Sequence, residues 1–428
     1  MTLRMIFGPL IKVKVTIMRD ISPSYALQRV LAVTRTLSLL DSVVEVNINL
    51  GKSRYVPTDP WRAFKMSSLV FPAISTLVKA VPTMRQLHTI HLSRIFLART
   101  HLCYILSSPH LTHLILETIQ MPKISTLPPP KLRKLTIVAM FTWKALQPLI
   151  AHLATSLEYL ELRWCEFRPL EELQLPSFPS LWELHHHQHF IGTFPDESKL
   201  TELFRLASQV TCLHLFGSFR NTRVAAFPKS LQHLSIHENV LKEHEFGTGG
   251  LPQLVSLNIR LCSQGLWRLN HRPMLPSFIR DRFPGITSLQ LDIQWSLRNF
   301  ALVMARSQRN VRLLELCIAT EFGLHWEREL SDEVEVPTEY LCETMLPATM
   351  QTLKLEVVQI SYELERSVEC CARWINSIVL PSATGLGGSD LKSIDVSFVQ
   401  PERGLARERA LSRRWAKLPG GDWQIEKF

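Results

Sequence analysis

A short run of histidines is the part of this sequence best suited to chemistry. Positions 185–189 read HHHQH, and His214 follows in the next strand-like segment. Because side chains alternate along a strand, His185 and His187 would share one face, where His214 could approach them. Zinc sites usually add paired cysteines or supporting carboxylates, and only Glu183 is evident nearby. The pattern therefore favours a surface histidine patch that responds to mild acid, and we predict no metal ion and no cofactor.

Motifs for catalysis are missing from the sequence. It contains no G-x-S-x-G, H-E-x-x-H or G-x-x-x-x-G-K-[ST]. The glycine-rich stretch 247–250 precedes a strand pattern and reads as a turn. Cys165 and Cys262 fall at predicted turn positions, not in the exposed, electropositive setting that a nucleophilic cysteine needs. We therefore expect a chain that is not an enzyme.

The histidine run belongs to a phrase, apolar-x-x-apolar-x-apolar, that returns about every two dozen residues. Clear copies begin at residues 87, 111, 132, 157, 181, 210, 231, 254, 286 and 311, and weaker copies begin at 43, 350 and 391. The fourth and sixth positions follow the two-residue period of a strand, so they face inward and their neighbours face outward. Several connecting segments have a helical apolar stripe instead, among them Ala145–Ser156, Ser198–Ser208, Ser296–Ser307 and Tyr362–Val379.

Units of this size must stack to bury their apolar edges. We expect an α/β solenoid with a curved parallel sheet on the concave side, and helices and irregular turns on the convex side. Residues 1–42 would form a flanking segment with a strand at Leu10–Ile17 and a helix at Tyr25–Leu40, residues 43–400 the solenoid, and residues 401–428 a basic cap or tail.

The phrase L-x-x-L-x-L followed by x-x-N/C resembles the leucine-rich repeat family over roughly residues 40–400. The stretches 106–114 and 130–135 further resemble fungal F-box proteins with leucine-rich repeats. That resemblance implies an F-box that binds a Skp1-type adaptor, and repeats that select a ubiquitination substrate. The F-box pattern L-P-x-E-I-L-x-x-I-F is missing from residues 1–42. Either the box lies upstream of this sequence, or the protein is a relative without one.

Charge and composition narrow the remaining classes of function and the cellular location. The net charge is +10, of which residues 1–35 and 401–428 together hold +8, so the repeats contain no basic stripe for nucleic acid. The basic segment Arg403–Lys417 could form an amphipathic helix for a membrane surface or an acidic partner, although a terminal cap is the more ordinary interpretation. Eight scattered cysteines and no apolar run of about 18 residues indicate a soluble intracellular protein, cytoplasmic or nuclear, with reduced thiols.

The outward face of the sheet is the candidate site, where a protein partner would bind. Polar residues there could equally reflect contact with water, but Tyr, Phe and Arg are typical of binding hot spots. The predicted partner-binding residues are His91, Tyr159, Glu161, Arg163, His185, His187, His214, Phe216, His237, Asn258 and Arg260. We expect a protein-interaction module, as the substrate-recognition part of an SCF-type ubiquitin ligase. The alternatives are a repeat scaffold unrelated to ubiquitin, and a nucleic-acid or membrane-surface binder that uses the basic termini.

Overall fold

A computed structural model gives the structure of the protein. It describes residues 13–18, 22–50, 60–95, 97–119, 131–138, 143–163, 176–187, 203–216, 227–237, 251–260, 283, 285–293, 315–322, 351–359, 372, 375–376, 390–401, 407–418 and 422–427. The chain divides into two compact units, Met1–Ser218 and Phe219–Phe428. The expected helices at 296–307 and 362–379, the turn at 247–250 and the turn cysteines lie largely or wholly outside the described residues.

Parallel strands in chain order form the sheet of the first unit, and each strand pairs with the next. The strands are β1 (Val13–Met18), β2 (Val43–Asn49), β3 (Thr89–Ser93), β4 (His113–Glu117), β5 (Lys134–Val138), β6 (Tyr159–Arg163), β7 (Glu183–His187) and β8 (Cys212–Phe216). The expected α/β class with a parallel sheet is confirmed.

Helices connect several of these strands. They are α1 (Pro23–Arg35), α2 (Leu37–Asp41), α3 (Pro60–Ala80), α4 (Arg99–Leu106) and α5 (Trp143–Leu153), with a short 3-10 helix at Val81–Thr83. The strand and helix expected within residues 1–42 correspond to β1 and to α1 and α2, which are separated at Thr36 by extended backbone. The Oγ of Ser22 caps α1 by accepting a hydrogen bond from the backbone N–H of Tyr25, and Pro23 suits the first helical position.

The core of the first unit is built from the inward positions of the strands and one stripe of each helix. In the repeat that contains β6, Leu157, Leu160 and Leu162 are buried. The apolar stripe predicted for Ala145–Ser156 is also buried; its members are Leu146, Leu149, Ile150 and Leu153. Burial of these leucines against the sheet removes their side chains from water, which is the main stabilising contribution of each strand and helix.

A recurring main-chain contact joins neighbouring strands just before each begins. The carbonyl oxygen of His88 accepts hydrogen bonds from the N–H groups of Thr112 and His113, at 3.1 and 2.9 Å. The carbonyl oxygen of Trp182 accepts from Thr211 and Cys212 in the same way, both at 3.0 Å. These contacts satisfy backbone groups at the corner where the chain enters the sheet, and they fix the register of one strand on the next.

The second unit also contains one sheet in chain order. Its strands are β9 (His233–His237), β10 (Ser256–Arg260), β11 (Ser288–Ile293), β12 (Glu315–Phe322), β13 (Thr352–Gln359), β14 (Ser393–Pro401), β15 (Arg407–Lys417) and β16 (Trp423–Lys427). Strands β9 to β14 are parallel, and β15 and β16 continue the sheet in antiparallel fashion. Among the helices that the structure describes, none combines the length and apolar character needed to cross a membrane.

The helix considered for Arg403–Lys417 is wrong, because residues 407–417 form strand β15. Pairing with β14 places Trp415 in register with Ile394, and the indole is 1% exposed. Arg414 binds Asp395 across the same pair of strands, at 3.1 Å. Tertiary pairing with an open sheet edge therefore overrides a local pattern that is compatible with a helix.

Candidate functional site

The predicted outward residues of the first unit lie side by side on adjacent strands. In the register of the sheet, Thr136 pairs with Glu161, Glu161 with His185, and His185 with His214. We call the outward side chains of β5 to β8 the histidine face; its members are Lys134, Thr136, Tyr159, Glu161, Arg163, Glu183, His185, His187, Cys212, His214 and Phe216. Seven of the predicted partner-binding residues belong to it.

The side chains of the histidine face pack closely on one another. Its aromatic and imidazole rings pack on one another across strands, with centroid distances of 5.0 Å for Tyr159 and His185, 3.9 Å for His185 and His214, and 4.6 Å for His187 and Phe216. This packing covers the smaller groups beneath, so Glu161 is only 3% exposed. Side chains on neighbouring strands therefore shield each other from water on this face.

Glu161 is the centre of a hydrogen-bond network on this face. Its Oε2 accepts from the hydroxyl of Tyr159 at 2.9 Å and from that of Thr136 at 3.2 Å, and its Oε1 accepts from the Nε of Arg163. Burial opposes ionisation of Glu161, but the hydrogen bond and charge of Arg163 outweigh it and hold the pKa of the carboxyl below its ordinary value. Burial, with the charge of Glu161, raises the pKa of Tyr159.

A second cluster lies beside it on β7 and β8. The Nε2 of His185 lies 2.6 Å from the Oε1 of Glu183, and the Sγ of Cys212 lies 3.2 Å from the Nε2 of His214. Burial, together with the charge of Glu183, raises the pKa of the Cys212 thiol to about 11. Sequence reasoning missed Cys212, although its position two residues before His214 on a predicted strand is a signal that both side chains share a face.

Two sets of donor atoms on this face are close enough to hold one metal ion. They come from Glu161, His185 and His187, and from Glu183, Cys212 and His214, and within each set all donors lie within 4.8 Å of one another. The sequence pattern predicted no metal, because it shows no paired cysteines and no supporting carboxylate beyond Glu183. Glu161 and Cys212 approach these histidines only through the register of neighbouring strands.

The remaining predicted site residues are on other strands. His91 is on β3, where its Nε2 lies 3.4 Å from Glu117, and two strands separate it from β6. In the second unit, the Nδ2 of Asn258 donates to the Oε1 of Gln290 at 3.1 Å. His237 and Arg260 lie in register on β9 and β10. The structure therefore brings together seven of the predicted residues on the histidine face. His91 lies on another strand of the same sheet, and the other three belong to the second unit.

A scan against models of protein families and a comparison with curated proteins returned no match for this chain.

Proposed function

We propose that this chain is a leucine-rich-repeat solenoid that binds another protein through the histidine face. The narrower form of the proposal is that it selects substrates for an F-box-type ubiquitin ligase. The repeat assignment is supported by the recurring carbonyl contact between strands, which is found in both units. In the second unit, the carbonyl oxygen of Val255 accepts from the N–H groups of Thr287 and Ser288, as Trp182 does in the first. One unit of structure per sequence period, joined to the next in the same way, is the defining property of a solenoid.

The observation that favours protein binding is the grouping of Tyr159, Arg163 and Phe216 on adjacent strands. Tyrosine and arginine are enriched at the energetic centres of interfaces, where aromatic rings provide large contact areas at low entropic cost. Rings already packed against His185 and His187 lose little conformational freedom when a partner binds. A preorganised group of this kind can bind a partner without a rearrangement of the strands.

The charges on the face indicate the chemistry of the partner. Glu161 is buried beneath its donors, whereas the side chain of Arg163 is 42% exposed. Lys134 is also exposed, and its Nζ lies 5.8 Å from the centre of the Tyr159 ring. Cations are therefore the outermost charges around this tyrosine. A protein segment with a carboxylate next to an apolar side chain would match this arrangement.

Two variants of the face and two matched controls test the proposal. The full chain, carrying Tyr159→Ala or Arg163→Gln, would be used for affinity purification and mass spectrometry, beside Tyr104→Ala and Arg85→Gln. Tyr104 is 38% exposed on α4 and Arg85 is exposed, so both controls remove the same residue types away from the face. A partner should be retained by the wild type and both controls and lost from both face variants. Calorimetry on that partner should show a loss of affinity of about 30-fold or more for each, which corresponds to a hot spot.

Retention of every partner by both face variants, with circular dichroism showing that they are folded, would overturn the proposal. The link to ubiquitin has a separate readout, because it is supported only by the resemblance of segments 106–114 and 130–135. Recovery of a Skp1-type adaptor with the wild-type chain would favour that link. A partner recovered without an adaptor would favour a scaffold.

A further inference from the structure

The second cluster on the histidine face has the composition and spacing of a zinc site. Cys212 and His214 alternate on β8 so that both point outward, and their Sγ and Nε2 atoms are 3.2 Å apart. Glu183 is in register with Cys212 on the neighbouring strand β7. The fold therefore brings a thiol, an imidazole and a carboxylate together from two strands, and all three are partly exposed to incoming ions.

The separations of the donor atoms fit one tetrahedral ion. Zinc binds sulfur at about 2.3 Å and nitrogen or oxygen at about 2.0–2.2 Å, so the ligands of one ion lie roughly 3.3–3.8 Å apart. The donors of Glu183, Cys212 and His214 lie within 4.8 Å of one another before any ion draws them together. An ion would have to shorten any of these separations by no more than about 1.5 Å. A ligand set with a thiolate and an imidazole favours zinc over calcium or magnesium, which prefer oxygen ligands.

His185 provides the support that such sites usually contain. Its Nε2 is 2.6 Å from the Oε1 of Glu183, and its ring stacks on that of His214 with the centroids 3.9 Å apart. A hydrogen bond to a ligating carboxylate fixes its orientation, and a stacked ring restricts the rotation of the ligating imidazole. His185 thus contacts two of the three donor residues.

The neighbouring set of Glu161, His185 and His187 is the weaker candidate. Glu161 already accepts hydrogen bonds from Tyr159, Thr136 and Arg163. An ion on its Oε1 would have to displace the guanidinium of Arg163 or lie next to its positive charge. Glu183 instead contacts the imidazole of His185.

We propose that Glu183, Cys212 and His214 bind a zinc ion, with His185 as a positioning residue and a fourth coordination position left for water. The thiol proton of Cys212 is released to the solvent when the Zn–S bond forms. This inference goes beyond the proposed function and does not depend on it, because a metal ion can bind whether or not the face also binds a protein.

Metal titrations on the full chain, with any purification tag removed and metal stripped by a chelator, test the site. Calorimetry with Zn²⁺ should show a single saturable site with a dissociation constant of order 1 µM or tighter. Titration with Co²⁺ should produce thiolate-to-cobalt charge-transfer absorption. Cys212→Ser should abolish that absorption, and His214→Gln should weaken Zn²⁺ binding. His185→Gln should weaken it by about 10–100-fold, as expected for a residue that supports a ligand.

Matched controls separate this site from other thiols and from the neighbouring set. Cys103→Ser removes the other thiol among the described residues that is partly exposed, and should leave both titrations unchanged. His187→Gln disables the competing set and should also have no effect. If His187→Gln abolishes binding while Cys212→Ser does not, or if the folded wild type binds neither ion, the proposal is wrong.

A measurement on the wild type covers the case in which a variant does not fold. Zn²⁺ should slow the alkylation of Cys212, read by mass spectrometry of its peptide, and leave the alkylation of Cys103 unchanged. Equal rates for Cys212 with and without Zn²⁺ would overturn the proposal.

Discussion

His186 on β7 lies in register with Leu215 on β8, and its imidazole is buried where the other clear copies of the repeat have leucine or isoleucine. Burial lowers the pKa of His186 to about 3, and the neighbouring His187 adds to the effect. The unfolded chain therefore binds a proton below about pH 6.5 that the folded chain does not bind. The contribution of His186 to the free energy of unfolding should be fully present above that pH. As the pH decreases towards 3, the free energy of unfolding should fall by about 1.4 kcal/mol per pH unit.

His186→Leu should remove this contribution. Between pH 6.5 and pH 5 the wild type should lose about 2 kcal/mol more of its unfolding free energy than the variant, measured by urea denaturation at each pH. His110→Gln replaces an exposed histidine and is the matched control. Parallel pH profiles for the wild type and His186→Leu would contradict the assignment.

Thr136→Val should weaken the network around Glu161. The Thr136 hydroxyl donates to the buried Glu161 carboxylate at 3.2 Å and lies 3.2 Å from the Nε2 of His113. Valine has the same shape but no donor, so the variant should lose about 1–2 kcal/mol of unfolding free energy at pH 7. Because the pKa of Glu161 is lowered by folding, its contribution is present above about pH 4.5 and is lost as the pH falls below that value.

The pH dependence of the Thr136→Val effect identifies why the variant loses unfolding free energy. The difference between Thr136→Val and the wild type should shrink as the pH falls below about 4.5, because protonation removes the charge to which the hydroxyl donates. Thr83→Val, at an exposed position in the first unit, should change stability by less than about 0.5 kcal/mol. A difference that is constant from pH 7 to pH 3 would indicate a packing effect instead.

Gly285→Ala should destabilise the second unit. A Cβ on Gly285 would lie 2.8 Å from the carbonyl oxygen of Pro252, and a backbone oxygen cannot move aside as a flexible side chain can. We expect a cost of about 1–3 kcal/mol. Hydrogen exchange should report faster opening of β10 and β11. Gln253→Ala, at an exposed position beside Pro252, is the control and should leave that exchange unchanged.

Trp415→Ala should test the strand assignment at the C-terminal end of the sheet. The indole is 1% exposed on β15, so its removal should cost about 3–5 kcal/mol. Trp182→Ala truncates an indole that is 44% exposed and should cost far less. Equal, small effects of both substitutions, measured by chemical denaturation, would show that β15 is not packed on β14 in solution.

The strands could be predicted from sequence because burial repeats with the period of the backbone. Leu87, Ile90 and Leu92 illustrate this, since each is buried where the phrase predicts an inward side chain. Residues 407–417 could not be assigned in this way, because their alternation suits a strand and a helix equally well. The deciding interaction is the pairing of Trp415 with strand β14, which local sequence does not reveal.

Seven members of the histidine face were predicted from the sequence, but their interactions were not. Alternation along a strand places His185 and His187 on one side, yet the contact of Glu183 with His185 and that of Cys212 with His214 depend on rotamers and on strand register. Burial of Glu161 was equally hidden, because it results from rings contributed by neighbouring strands. Local pattern thus identifies which residues share a face, and only the assembled sheet determines their chemistry.

The carbonyl contact between strands has a consequence for how such a chain can diversify. It joins His88 to a residue 24 positions later and Val255 to a residue 32 positions later, with the same main-chain atoms. Since no side chain is required, the connecting segment can lengthen or change composition while the strand still docks in place. Insertions can accumulate in the segments that connect the strands. New binding loops can then arise there while the sheet that holds them is retained.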